Sequence, residues 1–184
     1  MILKRTFDFI ASLVSVFLFC WIILICILLA SIDTKSFGLF LQKRIGQHGK
    51  PFKIFKIKSM NDATQEVSSF GRFIRKSKLD ELPQLLNILL GQMSFVGPRP
   101  DIPGYYDTLE GENRKILELK PGLTSEASIK YANEEEILSQ KDNPLDYNDT
   151  VIFPDKVKMN LEYYYNQSIF LDLQILFRTI FCER

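Results

Sequence analysis

Histidine and cysteine are scarce in this chain of 184 residues. The single histidine, His48, lies in a Gly-Gln-His-Gly segment typical of a solvated loop. His-dependent triads and His-rich metal sites are therefore poorly supported. The three cysteines, Cys20, Cys26 and Cys182, have neither metal-ligand spacing nor the pattern of a disulfide framework, and are interpreted as small apolar residues. Any chemistry is expected to use carboxylates, cations and an external metal.

An excess of charge of either sign is also absent. The chain has 23 Lys and Arg residues against 22 Asp and Glu residues, which gives a formal net charge of +1. Nucleic-acid binding usually requires a strongly basic domain or patch. We therefore expect no nucleic-acid partner.

One long hydrophobic run is present near the start of the sequence. Residues 9–32 contain no charged side chain. As a helix this run is about 36 Å long at about 1.5 Å per residue, which is enough to reach across a bilayer core. We expect a membrane-inserted helix over residues 1–35 and a cytoplasmic domain over residues 36–184.

The flanks of this run leave two paths open. Both flanks are basic, and basic flanks favour the cytoplasmic side. The helix either spans the membrane, oriented by its richer C-terminal flank, or breaks and returns to the same face. Proline is the usual cause of a sharp kink, and none occurs before Pro51. Ser12 and Ser15 could instead bend the helix through hydrogen bonds to backbone carbonyls.

The segment LDELPQLLNILLGQM contains two adjacent carboxylates, Asp80 and Glu81, before an apolar run with helical spacing. Pro83 is tolerated only in a first turn, so the predicted helix begins near Asp80, and Gly91 ends it. Carboxylates at the start of a helix are stabilised as anions by the helix dipole. Ordinary capping acids are the alternative interpretation. The rigid segment Ser94–Pro100 that follows carries one cation, Arg99.

The remaining pattern predicts an α+β fold that is mainly helical. Residues 37–41 and 51–57 are expected to form a short hairpin, and residues 69–78 a basic helix. Further helices are predicted over residues 110–119, from Glu134, and over residues 155–165. The apolar segment 169–181 is too short to span a membrane and is interpreted as an interfacial helix, with packing into the core as the alternative.

These motifs resemble the bacterial sugar transferases, the small monotopic phosphoglycosyl transferases. LDELPQLLN at residues 79–87, followed by MSFVGPRP at residues 93–100, is a specific signature. The resemblance extends over nearly the whole chain through three further segments: Lys4-Arg5-Thr6-Phe7-Asp8, Phe55-Lys56-Ile57-Lys58-Ser59-Met60 and Lys120-Pro121-Gly122-Leu123-Thr124.

The resemblance implies an enzyme that moves a sugar phosphate from a UDP-sugar to polyprenol phosphate, such as undecaprenyl phosphate, with UMP as the second product. It implies a location at the cytoplasmic face of the bacterial inner membrane, in contact with lipid. It also favours the re-entrant, broken helix. A metal-dependent diphosphate hydrolase and a catalytically silent membrane scaffold are the alternative functions.

The resemblance also implies roles for individual residues. Asp80 is the expected nucleophile, which forms a covalent aspartyl-phosphosugar, and Glu81 is the expected Mg²⁺ ligand. A carboxylate needs no general base at neutral pH, and Mg²⁺ is usually held by one or two carboxylates with substrate phosphates. Candidate phosphate-binding residues are Arg99 with its neighbour Pro98, then Lys58 and Arg75.

The chain departs from the family pattern at four places. Cys20-Trp21 occupies the position of a helix-breaking Ser-Pro pair, and Gln92 stands where an acid is usual. Residues 124–128 read Thr-Ser-Glu-Ala-Ser instead of Thr-Gly-Trp-Ala-Gln, and Ala132 replaces an arginine. The dyad is intact, so the reaction class is expected to persist, while the sugar specificity is open.

Overall fold

The computed structural model describes residues 2–181, so Cys182 lies outside the described residues. The chain forms two compact units, Met1–Arg44 with Pro51–Met93, and Ile45–Lys50 with Ser94–Arg184. The first unit contains both the apolar N-terminal helix and the carboxylate dyad, and the division at residues 35 and 36 stays a prediction.

The apolar run forms helix α1, Ile2–Thr34, a single α-helix of 33 residues. At about 1.5 Å per residue it is about 50 Å long, and it is long and apolar enough to cross a membrane. The helical assignment is continuous from Ile2 to Thr34, and the re-entrant path of this helix stays a prediction. The hydroxyl of Ser12 and the thiol of Cys20 each donate to a carbonyl three residues earlier, and no proline removes a backbone donor from the helix.

The first unit holds α1 near both of its ends. Close to the start, the Arg5 guanidinium donates to the carbonyls of Ile88 and Leu89 at 2.7 and 2.9 Å. Towards the end, a cluster of buried side chains joins α1 to the rest of the unit: Cys26, Ala30, Ile57 and Ile74. Residues 17–21, between these two contacts, are all exposed.

The predicted hairpin is confirmed, with a longer first strand. Strand β1, Leu39–Ile45, pairs with β2, Pro51–Ile57. The amide of Gly46 donates to the carbonyl of Lys50 at 2.9 Å and closes the turn. After the hairpin come helix α2, Ser69–Lys76, as predicted, and a short helix α3, Gln84–Leu89.

The second unit contains a strand pair that the sequence did not predict. Strand β3, Ser94–Val96, runs parallel to β4, Gly122–Thr124, with Ser94 opposite Gly122. A side chain on Gly122 would place Cβ 2.2 Å from the amide nitrogen of Gly97. Glycine is required there because the two backbones nearly touch.

Helices form most of the remaining second unit. They are α4, Glu126–Lys130; α5, Glu134–Ser139; α6, Pro144–Tyr147; α7, Phe153–Asn166; and α8, Ile169–Phe181. The predicted α5 and α7 are confirmed. Gly111–Glu118, predicted as an α-helix, is a 3₁₀-helix instead, a form that is common in short connecting pieces.

Helix α8 has one buried and one exposed face. Ile175 and Asp172 face inward, and the phenol of Tyr163 donates to the Asp172 carboxylate. The outer face carries large exposed apolar side chains: Phe170, Leu173, Phe177, Ile180 and Phe181. Its placement at a membrane surface stays a prediction.

Candidate active site

The carboxylate dyad lies in a tight turn before α3. Leu79–Glu81 is a 3₁₀-helix, preceded by Lys78 in the left-handed region at φ 58. Pro83 occupies the N-cap of α3, and Gly91, at φ 81, follows its end. The sequence predicted this helical region and its termination. It placed the dyad inside the first α-helical turn, whereas the dyad lies in a separate turn.

Asp80 is buried, with 8% of its surface exposed. Among the residues that the structure describes, its Oδ1 atom is buried without a hydrogen-bond partner. Burial raises the pKa of Asp80, and the adjacent Glu81 carboxylate raises it further. Burial therefore opposes the stabilisation of the anion that the start of a helix was expected to provide. The cost of removing the charge from water is the largest effect on this group.

Three cations oppose the rise in the pKa of Asp80. Lys56, Lys78 and Arg75 each lower the pKa of Asp80. They come from β2, from the residue before the turn and from the last turn of α2. Because an unpaired buried anion is costly, these cations favour the charged form that a nucleophile needs.

Glu81 differs from Asp80 in having a close cationic partner. Nζ of Lys56 lies 3.3 Å from Oε1 of Glu81, and both side chains are largely buried, with exposures of 19% and 11%. The pair therefore lies where charges interact more strongly than at an open surface.

The structure separates the two weaker phosphate-binding candidates of this unit. Arg75 lies near Asp80, and its Nε donates to Oγ of the buried Ser59 at 2.7 Å. Lys58 instead donates to Oγ of Ser36 at 2.8 Å and pairs with Asp62. Arg75 is thus grouped with the dyad, while Lys58 holds the segment after α1.

Arg99 and Pro98 belong to the second unit, in the segment after β3. Pro98 and Pro100 are buried while Arg99 is exposed. The carbonyl of Pro98 accepts a hydrogen bond from the amide of Gly122 at 2.8 Å. The bracketing prolines and this bond hold the Arg99 backbone in a fixed position, which suits recognition of an anion.

The dyad fits a divalent cation that is shared with a substrate. Within residues 2–181, no cluster of three or more His, Cys, Asp or Glu side chains could hold a metal alone. Mg²⁺ does not need such a cluster, since it commonly takes one or two carboxylates and completes its shell with substrate phosphates and water. The carboxylate of Glu81 would supply a hard oxygen ligand of the kind that this ion prefers.

Sequence reasoning missed Lys56 and Lys78 as members of the site. Lys56 stands among other cations in Phe52-Lys53-Ile54-Phe55-Lys56-Ile57-Lys58, and only the fold distinguishes it from its neighbours. Lys78 directly precedes the LDELPQLLN segment, and this position next to the dyad could have indicated that Lys78 belongs to the site. Ala132, the departure from an arginine, is exposed after α4.

Comparison with known proteins places these features in a family. A model of the bacterial sugar transferases matches residues 1–183. The uncharacterised sugar transferase EpsL of Bacillus subtilis is 36% identical over 98% of this chain and 86% of its own length. The UDP-glucose:undecaprenyl-phosphate glucose-1-phosphate transferase of Klebsiella pneumoniae is 34% identical over 98% of this chain and 40% of its own length.

A third relative has a different sugar in its name. The UDP-N-acetylgalactosamine-undecaprenyl-phosphate N-acetylgalactosaminephosphotransferase of Aeromonas hydrophila is 30% identical over 97% of this chain. The chain spans less than half of the length of the Klebsiella and Aeromonas proteins, 40% and 43%. The family match covers both the dyad and the Arg99 segment, and the chain belongs to the bacterial sugar transferase family.

Proposed function

We propose that this chain transfers a sugar phosphate from a UDP-sugar to polyprenol phosphate and releases UMP, through a covalent intermediate on Asp80. The observation that carries the proposal is the buried Oδ1 of Asp80, which has no hydrogen-bond partner within residues 2–181, beside a Glu81 carboxylate that pairs with Lys56. Relatives over nearly the whole chain bear the names of undecaprenyl-phosphate sugar-phosphate transferases.

The proposed reaction has two displacements at one phosphorus atom. A carboxylate oxygen of Asp80 attacks the phosphorus that bears the sugar, and the bond to the bridging oxygen breaks, so that UMP leaves with the bonding electrons. An oxygen of polyprenol phosphate then attacks the same phosphorus and displaces the Asp80 carboxylate. The product is polyprenyl diphosphate sugar, and the nucleophile is regenerated.

Charge neutralisation is the main requirement of the first displacement. Two like unit charges at about 4 Å repel by about 4 kcal/mol at an effective dielectric constant of about 20. Lys56, Lys78 and Arg75, which lower the pKa of Asp80, provide positive charge where an anionic donor would approach. Mg²⁺ held by Glu81 would add further neutralisation when it is bound.

The contacts of α1 support placing the reaction at one membrane surface. Arg5 and Ala30 both contact residues of the first unit, near opposite ends of a helix about 50 Å long. A helix that crossed a bilayer once would carry one of these ends away from the unit. We propose that both ends lie on the cytoplasmic face, where a UDP-sugar and the phosphate of a polyprenol phosphate can both reach Asp80.

The assay that tests the function measures UMP release by the full chain in lipid nanodiscs with Mg²⁺. UDP-glucose and UDP-N-acetylgalactosamine, the donors in the relatives' names, are the first of a UDP-sugar panel. With undecaprenyl phosphate we expect repeated turnover and parallel lines in double-reciprocal plots, the pattern of a two-step exchange. Without the acceptor we expect about one equivalent of UMP per active site.

Two results would contradict the proposal. Sustained UMP release without undecaprenyl phosphate, together with free sugar phosphate, would indicate the metal-dependent hydrolase. Absence of UMP release from the whole donor panel would indicate the catalytically silent scaffold.

A further inference from the structure

Asn87, in α3, is completely buried, with 0% of its surface exposed. Its side chain nonetheless makes three hydrogen bonds. Oδ1 accepts from the backbone amide of Phe55 at 3.1 Å, and Nδ2 donates to the carbonyl of Lys53 at 2.8 Å and to Oε1 of Gln92 at 2.7 Å. Both protons of the amide group are used, so the orientation of the side chain is fixed.

Two of these bonds hold the backbone of β2. Asn87 contacts Lys53 and Phe55, on either side of Ile54, and the next residue is Lys56. The Lys56 ammonium group reaches Glu81, 3.3 Å away, on the turn just before α3. The side chain of Asn87 therefore connects the helix that follows the dyad to the strand that supplies the dyad's cation.

We propose that Asn87 is a positioning residue for the transfer reaction, which sets the place of Lys56 against Glu81 and Asp80, and that Gln92 fixes the orientation of Asn87. The inference rests on the proposed function for its effect on catalysis. Its structural part, the position of Lys56, can be measured without turnover. Displacement of a catalytic-site group by about 1 Å can cost about 100-fold in rate.

A double-mutant cycle separates positioning from general stability. Asn87→Leu removes all three hydrogen bonds at similar volume, and kcat per active site, normalised by the UMP burst, should fall about 10- to 100-fold. Lys56→Met removes the cation that Asn87 positions. If Asn87 acts through Lys56, adding Asn87→Leu to Lys56→Met should change kcat by less than about threefold. If the falls in kcat of the two single variants multiply in the double variant, the proposal is overturned.

Gln92 offers a milder change, because its side chain is exposed and substitution leaves the core intact. Gln92→Met removes one acceptor from Asn87 and should lower kcat about threefold, as expected for a neutral hydrogen bond. Gln92→Glu retains an acceptor and should stay within twofold of the wild type. Equal activity of the Met and Glu variants would contradict the orienting role of Gln92.

The reactivity of the Lys56 amine provides a readout that is independent of the substrate. Competitive acetylation with limiting acetic anhydride, followed by peptide mass spectrometry, compares Lys56 with the exposed Lys43 in the same molecule. Release of Lys56 from Glu81 should raise its relative labelling at least threefold in Asn87→Leu. Unchanged Lys56 labelling would overturn the proposal.

A matched control is available in the second unit. Asn160 is buried, and its Nδ2 donates to the phenol of Tyr106 at 2.8 Å. Asn160→Leu should lower the melting temperature without raising the relative labelling of Lys56. A comparable rise in this control would show that labelling follows general loosening, which would also overturn the positioning role. A wild type that releases no UMP would instead reject the proposed function, and the labelling would still decide the position of Lys56.

Discussion

At the scale of single residues, Asp80 and Glu81 are adjacent carboxylates in different surroundings. Oδ1 of Asp80 is buried without a hydrogen-bond partner among the described residues, whereas Glu81 is paired with Lys56. A nucleophile needs an available oxygen, whereas a metal ligand or positioning group can share its charge. This asymmetry supports the assignment of nucleophile to Asp80.

Substitution of each carboxylate tests this assignment. Asp80→Asn should lower kcat by at least about 1,000-fold, because an amide cannot form the acyl phosphate. Glu81→Gln should lower kcat about 10- to 100-fold and weaken the Mg²⁺ dependence. Turnover is measured as UMP release, with the exposed Asp142→Asn as control. An Asp80→Asn variant within tenfold of the wild type would contradict the nucleophilic role.

The pH dependence should reflect the burial of Asp80. Since burial and Glu81 raise its pKa above the ordinary value for aspartate, the nucleophile becomes protonated, and kcat/KM falls, at a higher pH than for a solvated aspartate. Lys56 opposes the shift, so Lys56→Met should move this acidic limb to still higher pH. Rate profiles over pH 4–9 provide the measurement. Movement of the acidic limb to lower pH in Lys56→Met would show that Lys56 does not stabilise the Asp80 carboxylate.

The sequence identified the dyad because its residue types and their position before a helix are local features. Lys56 was not singled out, because its pairing with Glu81 depends on packing of β2 against the turn. The raised pKa of Asp80 was not predicted, since a one-dimensional pattern indicates a helix end but does not reveal the loss of solvent around Asp80.

At the scale of secondary structure elements, strong periodicity was the reliable signal. The apolar run, the hairpin and α7 were all predicted, with boundaries that differ by a few residues. Strands β3 and β4 were missed because each has three residues, too few for an alternating pattern, and their pairing joins segments that are distant in the chain. The helix α1 was predicted from its apolar length, but the sequence contains no proline within it that would locate a bend, so its re-entrant path stays a prediction.

The contact between the two glycines of this strand pair gives a stability prediction. Gly122→Ala should destabilise the protein by about 3 kcal/mol, since the added methyl group meets the Gly97 backbone. Gly111→Ala is the control: its Cβ has open space, and the positive φ of +55 should cost about 1 kcal/mol. Thermal unfolding in detergent is the measurement. Equal losses of stability in the two variants would show that the close approach of the Gly97 and Gly122 backbones does not determine the cost of Gly122→Ala.

At the scale of the whole molecule, the side of the membrane on which α1 begins determines the path of the helix. In a background without Cys20, Cys26 and Cys182, a cysteine introduced by Ile2→Cys should stay unlabelled by an impermeant maleimide in intact spheroplasts. It should react after lysis, because both ends of α1 are proposed to face the cytoplasm. Labelling without lysis would show that the helix spans the membrane. The control is a cysteine at Asp142, an exposed position in the second unit that is also proposed to face the cytoplasm.

A covalent bond between Asp80 and the sugar phosphate is the central step of the proposed mechanism. The direct measurement is rapid acid quench of the full chain with Mg²⁺ and a UDP-sugar that supports UMP release, without polyprenol phosphate, followed by intact-protein and peptide mass spectrometry. We expect a mass increase equal to one sugar phosphate, located at Asp80, absent in Asp80→Asn and lost on addition of undecaprenyl phosphate. An enzyme that turns over but never acquires this mass, or acquires it at another residue, would contradict the covalent mechanism.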